Sequence, residues 1–80
     1  MSKRIIEIKS IESFKELIII SGYSQRSLGR AIGISESYAN QIVNGIRNPG
    51  PGVARRITNE LNVHFHDIFL IRVLAKVSAE

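Results

Sequence analysis

The chain has 80 residues, 44% of them hydrophobic and 22% charged, with a formal net charge of +4 and no cysteine. A chain this short forms one domain that buries only about 60–65% of its unfolded surface, which leaves little room for a deep catalytic cleft. Without cysteine there are no disulfides, thiolate zinc sites, iron–sulfur clusters or cysteine nucleophiles, and the composition suits a reducing cytoplasm.

Residues 2–9 lack a helical stripe. Ile6 and Ile8 alternate with Glu7 and Lys9, a weak strand signal. Charges at Lys3, Arg4, Glu7 and Lys9 leave no apolar block of signal-peptide length. Ser10 is a good N-cap, followed by Ile11, Phe14, Leu17, Ile18 and Ser21 at helical spacing, with Gly22 as the stop. Ser24 caps a second helix with Leu28, Ala31 and Ile32 on its apolar face, closed by Gly33 in the left-handed C′ position. Ser35 caps a third, with Ala39, Ile42 and Val43 inward and Asn44-Gly45 as its end.

Residues 46–52, IRNPGPG, read as a rigid loop without helical potential. Val53, Ala54, Ile57 and Leu61 make a fourth stripe that ends at Asn62, and His64 to about Leu70 reads as a short fifth helix. From Ile71 to Val77, Arg72 and Lys76 are too widely spaced to decide between strand and helix. The β-branched residues there could pair with Ile5–Ile8. The longest apolar runs, Leu17–Ile20 and Ile68–Ile71, fall far short of the roughly 20 residues that a bilayer requires. A soluble, cytoplasmic protein with no membrane partner is the expectation.

The charge is concentrated. Between Ser24 and Arg56 stand Arg26, Arg30, Arg47, Arg55 and Arg56 against the single acid Glu36, and the rest of the chain is balanced. All five cations there are arginines, whose planar fork suits phosphate oxygens, so a polyanion is the first partner to consider. The two short helices joined at Gly33 form a helix-turn-helix pattern. Gly33 supplies a positive φ at the turn, and Gly29 leaves room for close helix–helix approach. With Ala39, Ile42 and Val43 inward, Glu36, Ser37, Asn40, Gln41 and Asn44 are left on the outward face. That face is polar and almost uncharged. Its hydroxyls and amides are what base edges in a major groove require, and the surrounding arginines, Arg26 among them, are what phosphates require.

The segments SQRSLGRAIGISESYANQIVNG, IRNP and VARRITNELNVHFHDIF, within Ser24–Phe69, resemble the Cro and phage-repressor helix-turn-helix family, often called XRE-type. The resemblance covers most of the family's five-helix domain, with Ile11–Ser21 as its first helix. It implies that Gln25 bonds a phosphate at the start of the second helix. It puts Glu36, Ser37 and Gln41 where the family reads bases, with Asn40 beside them. Arg47 and Asn48, in the following loop, would touch the sugar–phosphate backbone, and Arg55 or Arg56 a further phosphate. The chain departs from the family pattern at Gly29, where alanine is commonest, and at Ala39, where a larger aliphatic is common.

Plainer roles stand beside these. Glu36 could accept from a cytosine amino group or simply favour the helix N-terminus. Tyr38 could bond a phosphate or roof the edge of the core. His64 and His66 do not share a helix face and have no evident third ligand, so no metal is expected. Gly50-Pro51-Gly52 lacks the Lys-Ser/Thr of a phosphate-cradling loop. No Ser-His-Asp set has suggestive spacing, so neither catalysis nor a cofactor is expected.

The fold expected is mostly α: a five-helix, lambda-repressor-like helix-turn-helix domain spanning 1–80, with its core at 10–69. Terminal segments 2–9 and 70–78 would form a small two-stranded sheet or a dimer contact; the rival is a longer fifth helix through Lys76. The function expected is sequence-specific binding of double-stranded DNA by a phage or mobile-element type repressor, as a homodimer through the terminal segments. The alternative is an antitoxin-like module that holds a partner protein. RNA binding is weaker, because exposed aromatics on a sheet are not in evidence.

Overall fold

Hydroxyl caps set the starts of the first three helices. The computed structural model describes residues 3–74. In it Ser10 precedes α1 (Ile11–Ile20), and its side chain accepts from the Ser13 amide at 3.2 Å. Ser24 precedes α2 (Gln25–Ile32) in a reciprocal box with Ser27, which satisfies two amides that would otherwise lack partners. Ser35 precedes α3 (Glu36–Val43) and accepts from the Tyr38 amide at 3.1 Å.

The turn between α2 and α3 depends on two glycines. Gly33 sits at φ 78°, and the amides of Gly33 and Ile34 return to the carbonyls of Arg30 and Gly29. Gly29 is buried against α3: a Cβ there would lie 2.9 Å from the Cβ of Ala39. The close approach expected of Gly29 is therefore real. It also rotates the buried face of α2. Leu28, Gly29 and Ile32 are buried, whereas Ala31, expected inward, is exposed. At about 100° per residue, packing on Gly29 swings Ala31 out to solvent.

α4 spans Pro51–Leu61, two residues earlier than the loop reading of 46–52 allowed. Proline at the first helical position has its φ already fixed, and its missing amide would lack a partner there in any case. Asn62 ends α4 at φ 57°, as expected. The Tyr23 hydroxyl donates to the Glu60 carboxylate and ties the α1–α2 turn to α4. That bond first, then desolvation and the Glu60 charge, hold the phenol above its ordinary pKa.

The fifth helix, α5, is only Phe65–Ile68, shorter than the span to Leu70 read from the sequence. The chain turns extended at Phe69 because that ring is fully buried, packed at a tilt against Phe14 and Phe65 at centroid distances of 6.2 and 5.3 Å. From there β2 (Phe69–Leu74) runs antiparallel to β1 (Lys3–Ile8), in the register Lys3↔Leu74 through Ile8↔Phe69. The two ends meet as a strand pair, and a fifth helix running on from residue 70 is excluded as far as Leu74. Val77 and Lys76 lie outside the described residues. Ile8 and Phe69 join this ribbon to the helical core of Phe14, Ile18, Leu28, Ile42 and Ile57. Its far end carries Ile71, Val73 and Leu74, 48, 51 and 42% exposed.

Candidate nucleic-acid interface

The outward face of α3 is fixed from behind by three buried side chains, Ala39, Ile42 and Val43. Ser37 and Asn40 are exposed on the opposite side, as is Glu36 at its start. Gln41, expected fully outward, is half-buried. The cause is the following loop, which folds back on α3: the amides of Ile46 and Arg47 both donate to the Gln41 carbonyl, at 2.8 and 3.2 Å. Asn44 is exposed, and its side-chain amide donates to the Asn40 carbonyl at 2.9 Å, closing the helix end.

That fold-back creates a cluster. The Arg47 guanidinium lies over the Tyr38 ring, 5.1 Å from its centroid, and one of its nitrogens comes within 3.5 Å of the Gln41 side-chain oxygen. A cation over an aromatic face is attracted by the ring quadrupole. Tyr38 is half-buried and packs against the core, so it both roofs the core edge and carries Arg47. Asn48 follows in the exposed part of the loop.

A second cluster joins the starts of the two helices. Arg26 donates through Nε and Nη2 to a single oxygen of Glu36, Oε2, at 3.0 and 2.9 Å. Gln25, at the first position of α2, is half-buried beside it in sequence.

The remaining candidates for phosphate contact separate. Arg55 and Asn48 line a groove of about 500 Å³ together with Arg4, Pro49, Gly50 and the strand residues Ile6 and Ile71. Arg56 is turned away from this groove. Its Nη1 donates at 3.2 Å to the Ile32 carbonyl, which completes the C-terminal end of α2. Nothing local in the sequence points to Arg4, because only the pairing of β1 with β2 carries it to the loop. The same holds for the Arg26–Glu36 pair, whose partners stand ten residues apart on different helices.

Among the described residues no three His, Cys, Asp or Glu side chains gather as a metal site, and no helix is long and apolar enough to cross a membrane. A family model described as helix-turn-helix matches residues 14–68. Comparison with curated proteins and with solved structures gives no match.

Proposed function

The chain belongs to the Cro- and repressor-type (XRE) helix-turn-helix family, a family of DNA-binding regulators, and from that premise we propose that it is a sequence-specific repressor of the phage or mobile-element kind, reading the major groove with α3. The observation that carries this reading is the outward face of that helix. Ser37, Asn40 and Gln41 offer hydroxyl and amide groups there, flanked by an arginine held in place on Tyr38. A side-chain amide can pair with adenine N6 and N7 together, and a hydroxyl suits several base edges. Phosphate contacts set the register of such a helix but carry no sequence information. Gln25, Arg47, Asn48 and Arg55 take that role. A cytoplasmic location goes with it.

Gln41 and Arg47 separate the two kinds of contact. Gln41→Ala should cost about 1–3 kcal/mol on the preferred site and relax the preference at one base pair. Arg47→Ala should weaken all duplexes alike and make the slope of log K against log salt shallower by about 0.9 per bound protomer. Titrations on matched and scrambled duplexes at several salt concentrations check both. Equal losses on every sequence from Gln41→Ala would remove it from the base-reading set.

The same reading has the protein act as a homodimer through the ribbon. One recognition helix reads about half a turn of DNA, and paired half-sites call for paired domains. The ribbon lies outside the matched 14–68 segment. It supports this role because, among the described residues, each of its two strands has one unpaired edge, and Ile71, Val73 and Leu74 of β2 are exposed apolar residues. Ile71, Val73 and Leu74 would equally serve a different protein partner, the antitoxin-like alternative. Sedimentation of the purified chain separates the two, since a homodimer needs no other component.

A further inference from the structure

We infer that Arg26 is a positioning residue for Glu36, holding its carboxylate so that the second oxygen accepts from the amino group of a cytosine base edge. This rests on the DNA-reading function proposed above and names a base for one of its contacts. The geometry is one-sided. Both Arg26 nitrogens converge on Oε2, at 3.0 and 2.9 Å, and Oε1 has no hydrogen bond among the described residues. Arg26 is the second residue of α2 and Glu36 the first of α3, so the pair bridges the starts of the two helices across the Gly33 turn.

The electrostatics explain why a carboxylate can serve here at all. A bare carboxylate entering a groove lined by phosphates is repelled by them. Paired with a guanidinium it enters with no net charge, yet keeps an oxygen that can only accept. Among major-groove edges, adenine and cytosine offer amino donors. On adenine the donor stands next to the N7 acceptor, which opposes a carboxylate, whereas the cytosine base presents the donor alone. A helix N-terminus favours any acid, but that preference does not call for Arg26. The pair is also exposed, with side-chain accessibilities of 66 and 61%. Such pairs add little to folding stability, so the effect of breaking this one should be read in recognition.

The test uses the full chain and a duplex selected from a random pool, together with its single base-pair variants. Wild type should prefer C·G at one pair. Arg26→Ala and Glu36→Gln should each lower that preference by roughly fivefold or more, at the same pair, and the double variant should lower it no further. Arg26→Ala should leave the salt slope unchanged, because Arg26 neutralises Glu36 and not a phosphate. Arg26→Lys keeps the charge but loses the two-nitrogen fork, and should retain only part of the preference. Melting curves confirm that each variant is folded. The inference is overturned if Arg26→Ala keeps the preference while the slope becomes shallower by about 0.9 per protomer, which is the mark of a phosphate contact. It is also overturned if Glu36→Gln leaves the preference intact. If wild type prefers no base at any position, the sequence-reading function itself fails, and this inference with it.

Discussion

Phe69→Ala should lower the free energy of unfolding by about 3–5 kcal/mol, a large part of the roughly 5–15 kcal/mol typical of a whole domain. Phe69 is fully buried and packs at a tilt against both Phe14 and Phe65. It also stands where α5 gives way to β2 and pairs with Ile8 of β1. Truncating it leaves a cavity walled by rings that cannot easily collapse into it, and detaches the ribbon from the helices. Phe69→Leu keeps most of the volume and should cost less than half as much. Urea unfolding followed by circular dichroism measures both. A loss below about 1 kcal/mol for the alanine variant would mean that the ribbon and the helices are not joined through this ring.

If the chain pairs through the ribbon as proposed, Ile71→Lys combined with Val73→Lys should leave a monomer and weaken binding to a paired site by about a hundredfold or more. The two side chains share one ribbon face with Ile6, and about half of each is exposed in the single chain. Charge at exposed positions changes folding stability by only a few tenths of a kcal/mol. The same charges repel their copies across a shared strand edge or face. Uncoupling two half-site contacts forfeits the effective concentration that links them, typically 10²–10⁴ in affinity. Binding to an isolated half-site should survive. Sedimentation and titrations on full and half sites check this. A double variant that still sediments as a dimer places the contact elsewhere, with the exposed pair Ile19 and Ile20 at the end of α1 as the next surface to test.

What the sequence made legible was short-range chemistry. Ser10, Ser24 and Ser35 cap helices because a hydroxyl serves an amide three residues on, and no distant partner enters. Gly33 and Asn62 end helices in left-handed conformations for equally local reasons. The outward face of α3 followed from helical periodicity. Most of the departures come from contacts made outside the element concerned. Ala31 is exposed because α3 packs on Gly29 instead. Phe69 leaves the helical conformation because the core and Ile8 claim it. Gln41 is half-covered because the loop at Ile46 and Arg47 returns to its carbonyl. Pro51 is the exception: the local rule was available, but the prolines and glycines of residues 49–52 read as a loop. The Arg26–Glu36 pair could not be found from spacing along one helix, since it crosses a turn.

If α3 reads the sequence of duplex DNA with two copies acting together, the sites the protein selects will carry that signature. The deciding measurement is selection of bound duplexes from a random pool with the full chain. An enriched inverted repeat is expected, with half-sites about one helical turn, roughly 10 base pairs, apart. A pool that gains no sequence preference, while the protein binds every duplex alike, would contradict it.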